Sequence, residues 1–215
     1  MLDKFDSRVA CNSYIVYNDN KVGFLIDPGY NVNNCLINHI KKLGVTLVAV
    51  LLTHCHYDHI SALEDVFEAF PEATLYVSED EFNAISEPKI NLSKFARSWF
   101  NKELTFVPNN YQLLGDYEEF VIAGFKIQMI KTPFHTLGSA VYYLPNEQTL
   151  FSGDTLFYSS IGRTDLPTGS NRTVESSLQK LIKLPKETRV YPGNECSTTL
   201  ERESLYNSYL RNLSL

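Results

Sequence analysis

"LLTHCHYDHI", residues 51–60, places three of the chain's five histidines within six positions, with an aspartate among them. The run that leads in, Leu47–Leu52, is continuous, apolar and rich in Val and Leu. It is short for a helix and suits a strand buried on both faces. If the chain stays extended past Thr53, His54 and His56 leave it on the same side, because side chains alternate along a strand. Asp58 and His59 then fall at or near the start of the next helix and can face the same cavity. Imidazole and carboxylate together suit Zn, Fe, Mn-like and Cu ions. Three histidines interleaved with an aspartate would be costly to bury without a cation. Ligands on a loop at a strand end also lie outside the sheet, where sites are built.

Outward from this block the elements alternate. Asn12–Val16 and Gly23–Ile26 predict an antiparallel pair joined at Asn18-Asp19-Asn20. Val32–Leu43 carries Val32, Leu36, Ile40 and Leu43 on one helical face and stops at Gly44. Ala62–Phe70 repeats that spacing, Thr74–Val77 reads as a strand and Glu79–Ile85 as a short helix. Residues 88–112 are irregular and aromatic, an expected flap. Phe120–Ile122 with Phe125–Ile130, and Ala140–Leu144 with Thr149–Ser152, predict two hairpins. Val174–Ile182 reads as a helix, Arg189–Tyr191 as a strand and Thr198–Leu210 as a last helix. Hairpins followed by interleaved helices, in an order that repeats, predict an α/β fold. Two mixed sheets pack face to face with helices outside, a four-layer αββα sandwich.

Bulk properties bound the function. With 215 residues, no internal repeat and no Gly/Ser-rich linker, residues 1–215 are expected to form one domain. The net charge is −6 and basic residues are spread singly, which argues against nucleic-acid binding and points to a small-molecule substrate. No apolar run approaches the roughly 20 residues that span a bilayer. The N-terminus lacks the apolar core of a signal peptide, so a cytoplasmic protein without membrane partners is expected. The four cysteines, at 11, 35, 55 and 196, include no CxxC pair and read as reduced thiols. By strand alternation Cys55 points into the core.

"THCHYDHISAL" resembles the THxHxDH signature of the metallo-β-lactamase superfamily, and four further segments follow in order. "IKTPFHTLGSAVYYL" resembles the second ligand segment, with Phe134 and Leu137 at its usual Gly and Pro. "LFSGDTLF" resembles the segment of the bridging aspartate. "SIGRTDLPTGS" and "VYPGNECSTTLERE" resemble stretches of the glyoxalase II-like hydrolases and the related persulfide dioxygenases. The resemblance covers residues 12–210. It implies two divalent ions, zinc first and iron or manganese as alternatives. His54, His56 and His135 would hold the first ion. Asp58, His59 and Asp154 would hold the second, Asp154 bridging both, and Asp58 is also the candidate catalytic carboxylate. The implied activity is hydrolysis of a small thioester of the hydroxyacylglutathione type, with water activated on the metal as nucleophile. Full-length glyoxalase II enzymes carry an extra C-terminal helical domain, so the chain resembles a short form.

One position departs. The family's last ligand is a histidine after Pro-Gly, and here it is Asn194, with no histidine after His135. An amide oxygen is a weaker donor than imidazole. Three readings stay open: a weak second site in a working hydrolase, a mono-iron persulfide dioxygenase using His54, His135 and Asp154, or an inactive metal-binding module. Glu195 reads as solvent-exposed, with a replacement carboxylate for the missing ligand as the alternative. Arg163 is expected to pair with Asp165 or to bind a substrate carboxylate. Asp27 is a candidate to orient a ligand histidine. The aromatic stretch around Trp99 and Phe100 is a candidate to bind the thiol half of the substrate, and His39 is expected at the surface.

Overall fold

The computed structural model describes residues 1–6, 11–96 and 102–213. One sheet runs in chain order: β1 (Leu2–Asp6), β2 (Asn12–Tyr17), β3 (Val22–Ile26), β4 (Thr46–Leu51), β5 (Thr74–Ser78) and β6 (Tyr111–Leu114). The second is built from β7 (Glu119–Ile122), β8 (Phe125–Lys131), β9 (Ala140–Leu144) and β10 (Thr149–Gly153). It is completed by β13 (Arg189–Pro192) and β14 (Thr198–Thr199), in the order β14-β13-β10-β9-β8-β7. A small hairpin, β11 (Leu156–Phe157) with β12 (Ser160–Ile161), follows β10. The helices are α1 (Cys35–Leu43), α2 (Tyr57–Ile60), α3 (Leu63–Ala69), α4 (Val174–Leu181), α5 (Leu200–Tyr206) and α6 (Ser208–Arg211). No helix of the described residues is long and apolar enough to cross a membrane.

Strand alternation sorts the apolar residues into three cores. In β2, β3 and β4, the side chains of Tyr14, Val16, Phe24, Ile26, Ala49 and Leu51 face the second sheet and meet Ile127, Met129, Tyr142 and Phe151. Their neighbours Ile15, Leu25 and Val50 face outward, against Leu36 and Ile40 of α1 and Leu63 and Val66 of α3. On the far side of the second sheet, Ile130, Val141, Leu150 and Val190 pack on Leu178 and Leu181 of α4 and on Leu200 and Leu210. Strands apolar on both faces can only be interior layers, which makes the four-layer αββα sandwich. Each fully buried Leu, Ile or Phe contributes about 1.5–3 kcal/mol of transfer free energy.

The structure refines several boundaries. The helix expected from Val32 begins at Cys35, because Asn33 and Asn34 take left-handed φ of 55° and 57° and leave Val32 exposed. Asparagine tolerates that region better than most residues. The segment 79–85 is a 3-10 turn, Phe82–Ser86, rather than a helix. The single last helix is two short ones, broken at Asn207, whose Oδ1 accepts the Tyr209 N–H as a cap. The irregular stretch 88–112 ends in an unexpected strand, β6, paired parallel to β5. Trp99 and Phe100 lie outside the described residues.

Connectivity gathers one set of loops. β3, β4, β5 and β6 are mutually parallel, and β10 is parallel to β13. The loops after β3, β4, β8, β10 and β13 carry Asp27, His54–His59, His135, Asp154 and Asn194. The two sheets are tied at this end: Ala140 N–H donates to Thr53 O at 2.9 Å, and the Tyr142 hydroxyl donates to Leu52 O at 2.9 Å.

Candidate metal centre

β4 ends at Leu51, and the chain stays extended through His56, which has φ −60° and ψ 147°. His54 and His56 therefore share a side, their rings 4.8 Å apart, while Cys55 points into the outer core, fully buried. α2 then begins and turns His59 back under His54, with ring centroids 4.0 Å apart. His135 arrives from the opposite sheet, 4.7 Å from His54 and 4.6 Å from His56 by ring centroids. Asp154 follows β10, its Oδ1 3.3 Å from His59 Nε2 and its Oδ2 3.5 Å from His135 Nε2.

Hydrogen bonds fix which nitrogen of His54, His59 and His135 faces the centre, and His56 turns its Nδ1 to His135 Nε2, 2.9 Å away. A carbonyl only accepts, so His135 Nδ1 donates to Arg163 O at 2.8 Å and its Nε2 keeps a lone pair toward the cluster. His59 Nδ1 donates to Asp27 Oδ2 at 2.9 Å. The Thr53 hydroxyl gives its one hydrogen to Asp27 Oδ2 at 2.7 Å, so it accepts from His54 Nδ1 at 3.2 Å. Asp27 thus orients two imidazoles, one directly and one through Thr53, and its Oδ1 also accepts the Thr53 N–H at 2.8 Å.

A metal would fit this arrangement. The Nε2 atoms of His54, His56 and His59 are buried without a hydrogen-bond partner among the described residues, an arrangement that costs about 1–3 kcal/mol per atom unless something accepts the lone pair. Two groups have all their donor atoms within 4.8 Å of one another, His54 with His56 and His135, and His54 with His59 and Asp154. His54 thus belongs to both. Asp58 belongs to neither. It sits in the first turn of α2 with a side chain 27% exposed, its Oδ2 3.8 Å from His59 Nε2.

The electrostatics suit the same role. Burial holds His54 well below its ordinary value, with His59, His135 and His56 adding to it. Burial, then His135 and His59, bring His56 down to about 3. Both rings stay neutral, the ligand form. Burial also opposes charge on His59, but Cys11, Asp154, Asp27 and Asp58 around it outweigh that and raise its pKa. Burial pushes Asp154 up, yet the neighbouring His59, His135 and His56 bring it below the usual carboxylate value. Asp58 is raised by burial, with His59 opposing and Asp154 adding.

Two glycines allow the close packing. Gly153 takes a φ of +48°, and a Cβ there would stand 2.3 Å from Thr53 Oγ1. At Gly193 a Cβ would meet Asp154 Oδ1 and His59 Cε1, each at 2.6 Å.

The remaining sequence candidates separate. Asn194 reaches the centre, with its Nδ2 donating to Asp154 Oδ1 at 3.2 Å. Glu195 is exposed. The Arg163 side chain is held by a two-pronged pair with Asp165, at 2.7 and 2.8 Å, in an exposed position. Only its carbonyl touches the cluster.

Sequence reasoning missed Glu81. It is 2% exposed, and its Oε1 accepts the Cys55 N–H at 2.9 Å. Its Oε2 accepts the Gly138 N–H at 2.9 Å and the Thr136 hydroxyl at 3.0 Å. One carboxylate therefore clamps the His54–His56 segment to the His135 loop.

A model of the metallo-beta-lactamase superfamily matches residues 6–193. A probable metallo-hydrolase of Streptococcus pyogenes is 38% identical over 201 residues, 92% of this chain and 84% of that protein. The hydroxyacylglutathione hydrolase GloC of Haemophilus influenzae is 30% identical over 213 residues, 94% of each chain. Among solved structures, the B3 metallo-beta-lactamase BLEG-1 superposes with a TM-score of 0.87 at 33% identity, covering 98% of this chain and 99% of that one. TTHA1623 in a di-iron-bound form gives a TM-score of 0.82 at 30% identity, covering 98% and 100%.

Proposed function

The chain belongs to the metallo-beta-lactamase superfamily, and from that premise we propose that it is a metal-dependent hydrolase of a small thioester of the hydroxyacylglutathione type. The observation that carries this reading is the gathering of donor atoms from His54, His56 and His135, and from His54, His59 and Asp154, each group within 4.8 Å. The thioester class is supported by the likeness to GloC over nearly the whole chain.

In this reading His54, His56 and His135 hold one ion, and His59 and Asp154 serve a second, with Asp58 at the rim. Such ions, when bound, polarise a carbonyl and lower the pKa of water to about 7. The chain supplies orientation. Asp27, Thr53 and the Arg163 carbonyl lock three rings, so their donor atoms need no rearrangement. Burial keeps His54 and His56 neutral and excludes bulk water from the centre. Asp58, partly exposed, is placed to orient a water or a substrate group at the mouth. A thiolate leaves readily, so no strong general acid is required of the protein.

The test is turnover of a hydroxyacylglutathione, with a β-lactam alongside, by protein of measured metal content. Expected is thioester hydrolysis that stops on chelation and in His135→Ala. Metal-replete protein without thioester turnover would overturn the reading. A second reading, a mono-iron persulfide dioxygenase, is favoured by the contact of Asn194 with Asp154. It leaves His54, His135 and Asp154 as a two-histidine, one-carboxylate set. Oxygen uptake with a persulfide separates the two. Metal binding with neither activity would identify an inactive binding module.

A further inference from the structure

A cavity of about 430 Å³ is lined by Tyr57, the residue between His56 and Asp58, and by Leu92, Phe95, Ala96, Leu166 and Pro167. None of these side chains is charged. The volume lies within the range typical of small-molecule sites, roughly 300–1,000 Å³.

Both walls are tied to the segments that carry candidate ligands. Tyr57 stands between His56 and Asp58, and its N–H donates to Asn91 O at 2.8 Å, next to Leu92. The Leu92 wall is rigid. Asn91 is fully buried and its Nδ2 donates to Ile85 O and Leu104 O, both at 2.8 Å, while Ser93 Oγ accepts the Leu104 N–H at 2.9 Å. On the other side, Thr168 Oγ1 accepts the Leu137 N–H at 3.2 Å, and Ser170 N–H donates to Phe134 O at 2.8 Å, both flanking His135.

Two features of the walls lack a packing explanation. Leu92 and Thr168, one beside each wall, both take a φ of +67°, a region costly for a bulky or β-branched residue and one that concentrates at binding sites. Phe95 is 71% exposed, a large aromatic surface left facing the cavity and solvent.

We infer that this cavity is the specificity pocket for an apolar substituent of the substrate, an alkyl or aryl group carried on one side of the reacting carbonyl–sulfur bond. This rests on the thioester reading, and it selects against a substrate whose charged groups must lie beside Tyr57. A largely apolar lining gains from each methylene it removes from water, and beyond the Tyr57 hydroxyl its side chains offer no polar group and no opposite charge.

The test uses two thioester series, one varying the acyl chain from acetyl to hexanoyl on a constant thiol, the other varying the thiol on a constant acyl group. Expected is a rise in kcat/KM of about fourfold per methylene in one series, and a flattened slope in Phe95→Ala and in Leu166→Ala. Binding is read separately on the metal-loaded protein from the methyl NMR signals of Leu92, Ala96 and Leu166 during titration with benzyl alcohol. Saturable shifts of those signals support the pocket even where no thioester is turned over, in which case only the thioester reading falls. Flat slopes in both series, or no methyl shifts, overturn the pocket and leave the hydrolase reading standing.

Discussion

Asn194 turns its amide nitrogen to Asp154, with Nδ2 3.2 Å from Oδ1. The turn that presents it is anchored from the other sheet. Asn12 N–H donates to Gly193 O at 2.6 Å, Asn12 Nδ2 to Pro192 O and Glu195 O at 3.0 Å, and the Tyr14 hydroxyl to Pro192 O at 2.7 Å. These bonds hold the backbone on both sides of residue 194, whose side chain reaches Asp154. As a donor to the carboxylate it orients Asp154 instead of supplying a lone pair. Asn194→His adds an imidazole at that place and is expected to tighten the second ion by about tenfold or more, ~1.4 kcal/mol. Metal per chain after dialysis against a weak competitor measures this. An unchanged stoichiometry would show that residue 194 does not limit the second ion.

Asp27 is the shared support of two rings, through His59 Nδ1 directly and through Thr53 to His54. Loss of such a partner typically costs 10–100-fold in metal affinity. Asp27→Ala also strands the Thr53 N–H and hydroxyl in a buried site, at about 1–3 kcal/mol each. The variant should lose both metal affinity and metal-free stability, as read by titration calorimetry and urea unfolding. Asp27→Asn keeps the shape but makes one donor face another, so it should rescue stability only in part.

What could be read in the sequence and what could not divide along physical lines. His54, His56 and His59 were legible because a strand's period of two and the first turn of a helix put all three on one side, and β4 with α2 follows that geometry. Asp27 was legible as a carboxylate in a turn after a strand. The edge strands β1 and β6 were not. LDKFD is three-fifths charged, and YQLL leaves three of its four residues exposed, so neither carries a two-sided apolar pattern. Strand β1 also explains His39, expected at the surface and found half-buried beside Asp3 at 2.5 Å and Phe5. Glu81 was hidden by its neighbours. Glu79 and Asp80 both pair with Lys131 and stay exposed, so "SEDE" reads as a solvated acidic run, and only the tertiary fold shows that its last member turns inward.

Glu81 accepts three hydrogen bonds from two ligand-bearing loops, and Glu81→Ala would leave the Cys55 and Gly138 N–H groups and the Thr136 hydroxyl unpaired. The expected loss is about 3 kcal/mol or more, together with weaker metal binding as the loops separate. A pH dependence follows as well. Burial raises the Glu81 carboxyl above its ordinary 4.5, against the hydrogen bonds from Cys55, Thr136 and Gly138. A raised folded-state pKa means that the folded protein holds this proton more tightly than the unfolded chain does. The stability so gained is fully present below about pH 4.5 and is lost as pH rises through the folded value. The stability of wild type minus that of Glu81→Gln should therefore fall from pH 4 toward pH 7. Urea unfolding of both metal-free proteins across that range is the check, and a difference that rises with pH would reverse the sign assigned to this group.

The two donor groups that share His54 link metal to stability. In the unfolded chain the six candidate ligands are spread from residue 54 to residue 154, so an ion binds the folded state far better and shifts unfolding by mass action. At a free zinc concentration one hundred times the dissociation constant the gain is ~2.7 kcal/mol. For a domain of this size that is a rise of about 5–11 °C in Tm. Chelation should abolish the rise. His56→Ala should shrink it by removing one of the three donors gathered at the first site, while Arg163→Ala should leave it intact, because the contact to His135 comes from the Arg163 backbone carbonyl. Thermal melts of the three proteins with zinc and with chelator decide it. An Arg163→Ala variant that lost the metal-dependent rise would mean that the side chain, and not only the carbonyl, supports the site.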